Sequence, residues 1–150
     1  MSTPCPAPVY RAVTYVHVAS VEVALEFYAL LGFTPGFVLR PDGKRAVWAK
    51  ACSRASGVPG SAEMFFARAS GPIAADQQAV LFYMYSQDVA DLRAHLLASG
   101  LFDGGVYRGQ AGPNGGRRVV FEIYHPPHME RGELRVVDPD GYVILVGQLE

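Results

Sequence analysis

At 150 residues, the chain is the size of one domain and long enough to bury a substantial core. Half of its residues are hydrophobic and 18% are charged, which places it among globular chains and excludes a disordered one. The 13 basic residues are scattered and the formal net charge is −1, so the basic stripe of a nucleic-acid binder is missing.

No apolar run approaches the length that spans a bilayer, and the first residues have neither the basic start nor the apolar stretch of a secretion signal. Two cysteines, Cys5 and Cys52, make neither a disulfide framework nor a zinc spacing. The expectation is a cytoplasmic protein with no membrane partner.

Along the chain, prolines at positions 4, 6 and 8 predict an extended tail over residues 1–9, followed by a single domain over 10–150. Residues 10–19 read as a strand, with Val13, Tyr15 and His17 on one face and Thr14, Val16 and Val18 on the other. Ser20 stands where a helix N-cap belongs. Val21, Ala24, Leu25, Tyr28 and Leu31 follow at helical spacing, and Gly32 ends the helix. Residues 37–40, the turn Pro41-Asp42-Gly43 and residues 45–51 predict a hairpin, and 63–69 a return strand after a Gly/Ser/Pro-rich loop. The first module, about 10–70, is therefore β-α-β-β-β.

The second module, about 79–150, starts again with a strand over 79–85. Asp88 is the expected cap, Val89, Leu92, Leu96 and Leu97 the apolar stripe, and Gly100 the stop. A short strand is expected at 106–108, then a Gly/Pro/Asn loop at 111–116. Strands follow at 119–124, 132–138 and 142–148, the last after the turn Asp138-Pro139-Asp140-Gly141. Moving Val13 onto Leu81, a shift of 68 positions, also places Tyr15 on Tyr83, His17 on Tyr85, Ser20 on Asp88 and Gly32 on Gly100. An internal duplication explains that agreement. The alternative is coincidence between two ordinary β-α units.

The stretch 18–33, with Ser20, Phe27-Tyr28 and Leu31-Gly32-Phe33, resembles the first helix of the vicinal-oxygen-chelate superfamily, which includes glyoxalases, bleomycin-resistance proteins and extradiol dioxygenases. Residues 132–143, around Asp138-Pro139-Asp140-Gly141, resemble its closing hairpin. Ser86-Gln87-Asp88-Val89 resembles the start of the second module's helix. The resemblance implies an α+β fold in which two βαβββ modules form curled mixed sheets around a shared cavity, frequently in a homodimer. It also implies four metal-ligand positions in metal-using members, and these fall on Val13, Leu81, Leu145 and a position close to Glu63. Val and Leu offer no donor to a divalent ion, so no metal and no other cofactor is expected. A rebuilt site using His17, Glu63 and a third residue is the alternative.

Candidate site residues follow from the shared face. Tyr15, Trp48, Phe65, Tyr83 and Tyr85 are candidates to line an apolar pocket with polar tips, although ordinary core packing accounts for any one of them. Glu63 and His17 are the candidate acid/base groups; a solvent-facing carboxylate and a structural histidine are the plainer readings. His125 and His128 stand at i,i+3 spacing around Pro126-Pro127, which predicts a surface loop. Gly112, Gly115 and Gly116 do not open a helix after a strand, so no phosphate loop is indicated. The reading is a metal-independent protein that binds a small apolar or aromatic molecule, as in antibiotic sequestration. The alternatives are an enzyme of the same superfamily (lyase, isomerase or dioxygenase) and an interaction module with a filled cavity.

Overall fold

Both helices begin at a short polar side chain that satisfies an orphan backbone donor. Helix α1 (Val21–Ala29) is capped by Ser20, whose hydroxyl accepts from the Val23 N–H at 3.2 Å. Helix α2 (Val89–Ala98) is capped by Asp88, whose carboxylate accepts from the Asp91 N–H at 2.9 Å. Each helix is followed by a glycine with positive φ, Gly32 at 95° and Gly100 at 98°, a conformation in which a Cβ would be strained. Cap, cap donor and glycine keep the same separation in both halves.

The computed structural model describes residues 3–74, 82–109 and 117–150. The first sheet contains β1 (Thr14–Val18), β2 (Thr34–Leu39), β3 (Trp48–Ser53) and β4 (Ala62–Arg68) in the order β1-β4-β3-β2, with β1 parallel to β4 and the remaining pairs antiparallel. The second contains β5 (Phe82–Tyr85), β6 (Phe102–Asp103), β7 (Val119–Val120), β8 (Glu133–Val137) and β9 (Val143–Gly147) in the order β5-β9-β8-β7-β6. Here β5 runs parallel to β9 and β6 parallel to β7. Both sheets are mixed and neither closes on itself. Among the described residues no helix is long and apolar enough to cross a membrane.

Strand ends depart from expectation where side chains or glycines intervene. Strand β2 begins at Thr34 rather than at 37 and runs through Pro35 and Gly36 with an irregularity before Val38, which an edge strand tolerates. Strand β3 begins at Trp48 rather than 45, because Asp42 Oδ1 accepts from the Lys44 and Arg45 N–H groups, both at 2.9 Å, and extends the turn. No strand forms at 106–108. The pairing falls instead on Phe102–Asp103, and Gly105, at φ 67°, turns the chain before Val106. The strand expected at 119–124 is reduced to Val119–Val120 plus a bridge between Tyr124 and Glu133. The loop at 111–116 and the strand start at 79–81 lie outside the described residues.

One core joins the two halves. Val16 and Val18 of β1, Ala49 and Ala51 of β3, and Met64 and Phe66 of β4 are buried together with Val21, Ala24, Phe27 and Tyr28 of α1. The same cluster takes in Val89 and Leu96 of α2, Leu134 and Val136 of β8, and Ile144 and Val146 of β9. Polar ties reinforce the junction. The Tyr28 hydroxyl donates to Asp138 Oδ2 at 2.8 Å, Asp140 Oδ1 accepts from the Ala19 N–H at 3.0 Å, and the Tyr142 hydroxyl donates to the His17 carbonyl at 2.9 Å. Asp138 also holds the closing turn, its Oδ1 accepting from the N–H groups of Asp140 and Tyr142. Burial pushes the Asp138 carboxyl up to about 6, against the opposing hydrogen bond from Tyr28.

Candidate functional site

Strand alternation decides which side chains remain available. Because Val16 and Val18 enter the core, Tyr15 and His17 stand on the opposite, open face of the first sheet. By the same rule Glu63, Phe65 and Ala67 of β4 and Trp48, Lys50 and Cys52 of β3 share that face. Tyr15 lies opposite Phe65, and Trp48 opposite Ala67. The rings form an unbroken row, with centroid separations of 6.2 Å for Phe37–Trp48, 5.0 Å for Trp48–Phe65, 6.0 Å for Tyr15–Phe65 and 5.9 Å for Tyr15–His17. Phe37 is 57% and Tyr15 54% exposed, so the row is not buried within the chain. Phe37 was not among the sequence candidates. It sits one residue beyond Gly36 in an irregular stretch where alternation does not assign a face.

The second sheet treats the same face differently. Leu134 and Val136 enter the core, leaving Glu133, Arg135 and Val137 on the open side beside Leu145 and Gly147 of β9 and Tyr83 and Tyr85 of β5. Tyr83 and Tyr85 are 5.5 Å apart between centroids. The Tyr83 hydroxyl donates to Glu133 Oε2 at 2.6 Å, the Tyr124 hydroxyl donates to Oε1 at 2.6 Å, and His128 Nε2 sits 3.1 Å from Oε2. Gly147 makes this geometry possible, since a Cβ there would lie 2.8 Å from the Tyr83 hydroxyl oxygen and 2.8 Å from Met129 Cε.

Glu133 is only 1% exposed. Desolvation alone would raise its pKa, but the hydrogen bonds from Tyr124, Tyr83 and His128 outweigh it and hold the carboxyl below its ordinary value. Tyr83 is raised by desolvation and by its bond to Glu133, and Tyr124 chiefly by its bond to the same carboxylate. Both phenols therefore stay protonated as donors. Glu133 was not a sequence candidate, although its alternation with Leu134 and Val136 was a signal that it faces away from the core. His128 proves to reach this carboxylate, while His125 Nδ1 lies 2.8 Å from the Glu130 carbonyl.

The sequence candidates separate into groups. Glu63, Tyr83 and Tyr85 line a groove of about 830 Å³ between the first sheet, the loop around Ala55 and Val58, and the start of α2. Tyr15 and His17 line another, of about 640 Å³, with Phe82 and Tyr142. Trp48 and Phe65 belong to the ring row. Glu63 is ion-paired with Arg11, Oε2 to Nη2 at 3.0 Å. Along β4 it stands four positions from Ala67, the partner of His17, a separation of roughly 13 Å.

No family model and no curated relative matches the chain. Solved structures do. A bleomycin-binding protein in complex with bleomycin superposes with a TM-score of 0.64 at 15% identity, over 95% of this chain and 100% of that one. The bleomycin-binding protein from Streptomyces verticillus, complexed with copper(II)-bleomycin, gives 0.62 at 16% identity over 96% and 99%. A glyoxylase/bleomycin resistance protein/dioxygenase domain from a Frankia species gives 0.61 at 11% identity over 96% and 100%. The chain has the vicinal-oxygen-chelate fold.

At the metal-ligand positions that the sequence resemblance implies, the described side chains do not suit an ion. Leu145 lies between Tyr83 and Arg135 and offers no donor, Val13 is apolar, and Glu63 is engaged by Arg11. Leu81 lies outside the described residues. Among the described residues no three His, Cys, Asp or Glu side chains gather as a metal site.

Proposed function

We propose that this vicinal-oxygen-chelate protein is a metal-independent, cytoplasmic binder of a small, flat, largely apolar or aromatic molecule, acting by sequestration as an antibiotic-resistance protein would. The observation that carries this reading is the row Phe37–Trp48–Phe65–Tyr15–His17 on an open sheet face. Rings held edge-on and tilted at these separations present a rigid π surface that costs little side-chain entropy to bind against. An exposed aromatic strip of this extent also marks an interaction site rather than an inert surface. Proteins of the same fold at low identity include binders of bleomycin, which supports the ligand class.

The alternative, acid–base chemistry by Glu63 and His17, draws no support from the geometry. The two line different grooves, and Glu63 is held by an arginine. The protein is further proposed to work as a homodimer, which would cover the edge strand β6 and the exposed Phe102 on it and leave the ring row open. Light scattering should give twice 16.2 kDa at micromolar concentration, and a monomer mass would refute the pairing.

Trp48 is the only tryptophan in the chain, so it reports on its own face without interference. Titration with bleomycin and a panel of aromatic antibiotics should find a ligand that quenches Trp48 fluorescence and raises the melting temperature by mass action. Phe65→Ala and Tyr15→Ala should each weaken that ligand by about tenfold. Affinity unchanged from the parent in both variants, or no quenching by any of the panel, would end the proposal.

A further inference from the structure

Strand β1 is the outer strand of its sheet, and alternation decides which of its main-chain groups are left over. The Val18 carbonyl accepts from the Ala69 N–H at 2.8 Å, toward β4. Successive residues of a strand turn their N–H and C=O groups to opposite edges. Val16 therefore also faces β4, while Tyr15, His17 and Ala19 face outward. The second half of the chain meets part of that edge. The Tyr142 hydroxyl donates to the His17 carbonyl at 2.9 Å, and Asp140 Oδ1 accepts from the Ala19 N–H at 3.0 Å. The His17 N–H and both main-chain groups of Tyr15 have no partner among the described residues.

This free stretch of edge opens on the groove of about 640 Å³, a volume within the roughly 300–1,000 Å³ of small-molecule clefts. Phe82 and Tyr142 line it as a ring pair with centroids 5.4 Å apart. Arg68 lines it too, exposed and without a carboxylate partner among the described residues. None of the described lining residues is acidic.

A free donor and acceptor at Tyr15, followed by a donor alone at His17, suit an added strand that ends at His17. Running parallel to β1, an acyl carbonyl accepts from the Tyr15 N–H, and the N–H two residues on donates to the Tyr15 carbonyl. The carbonyl group of that same residue then accepts from the His17 N–H. A continuing chain would bring another N–H to the His17 carbonyl, which Tyr142 already holds. A terminal carboxylate brings none. Arg68, in register with Val18 at that end of the strand, favours the carboxylate over an uncharged acyl group in the reverse direction.

We propose that the free edge of β1 is a binding site for a short acylated peptide ending in a free carboxylate, which pairs with Tyr15 and sets its carboxylate between the His17 N–H and Arg68. The site uses the main chain of Tyr15 and His17, whereas the ring row uses their side chains, so it does not rest on what binds to the row.

The probe is acetyl-phenylalanyl-alanine, with its C-terminal amide and a form methylated at the alanine nitrogen as counterparts. In ¹H–¹⁵N spectra of the intact protein, the main-chain N–H resonances of Tyr15 and His17 should move downfield and saturate as the probe is added. The methylated form lacks the donor to the Tyr15 carbonyl and should bind more weakly. Arg68→Gln should weaken the probe about tenfold in calorimetry, the loss of one charge-assisted hydrogen bond, and leave the amide form unchanged. Unmoved resonances, equal binding of the methylated form, or unchanged affinity in Arg68→Gln would each overturn the proposal. An amide form that bound as tightly as the acid would overturn the choice of carboxylate. A probe lengthened at its N-terminal end should bind no more tightly, and a gain would overturn the choice of a small ligand in favour of a protein's C-terminal tail. Because the resonances are read in the unmodified protein, a variant that fails to fold leaves that test standing.

Discussion

The open faces of the two sheets are built by the same alternation and carry the same kind of residue, yet they use it in opposite ways. On the first sheet, the rings lean on one another, and Glu63, on the same face but outside the row, is met by Arg11 at the surface. On the second, the phenols of Tyr83 and Tyr124 are drawn onto a buried carboxylate and spend their polar tips inside the protein. Tyr15 and Tyr83 occupy equivalent positions. The first is left as a surface for something else, while the second is part of the structure. An aromatic residue on an open strand face is thus not by itself a binding residue. What decides is whether a buried acceptor lies within reach of its hydroxyl.

The sharpest way to break this comparison is to remove the two carboxylates. Glu133→Ala leaves two phenol donors and a histidine without their acceptor and should cost about 2–3 kcal/mol in denaturant unfolding. Glu63→Ala breaks a pair whose arginine is 61% exposed and should cost under about 1 kcal/mol. Equal losses would mean that the two faces do not differ in the way described.

A second test uses pH and the two ends of β8. Asp138, just past that strand, has its carboxyl raised from 3.8 to about 6. Between those values the folded state holds more protons than the unfolded one, so this group lowers stability as pH rises through that window. Asp138→Asn should flatten the melting temperature against pH between about 4 and 6. Glu133 has the opposite sign. Its lowered pKa contributes stability that is present above 4.5 and lost as pH falls through the folded value, so Glu133→Gln should alter the profile only on the acidic side. A profile for Asp138→Asn parallel to the parent would contradict the assigned burial.

The smallest expected effect is on the two equivalent tyrosines. Tyr83→Phe removes a donor to an ionised carboxylate and should destabilise by about 1.5 kcal/mol. Tyr15→Phe removes a hydroxyl for which no bond is found among the described residues, and should fall within about 0.5 kcal/mol of the parent. If Tyr15→Phe proved the more costly in a melting experiment, the first face would be carrying structure rather than standing ready for a ligand.

Much of this molecule was legible in local chemistry. Ser20 and Asp88 start helices because each side-chain oxygen reaches an N–H three residues on, and Gly32 and Gly100 end them because a Cβ is unwelcome there. The alternation of Val16 and Val18 with Tyr15 and His17, and of Leu134 and Val136 with Glu133 and Arg135, determines which side chains face the core. These features depend on neighbours along the chain, so the chain states them directly. Tertiary structure alone decided the rest. Glu133 meets Tyr83 fifty positions away, and Gly147 on the strand between them leaves room for the hydroxyl. Asp138 meets Tyr28 from the other half of the molecule. Where the short strand after α2 forms depends on the glycines that follow Asp103, and the separation of Glu63 from His17 depends on the parallel pairing of β1 with β4. Alternation assigns a face to each side chain, but the pairing of distant strands decides which side chains meet on it.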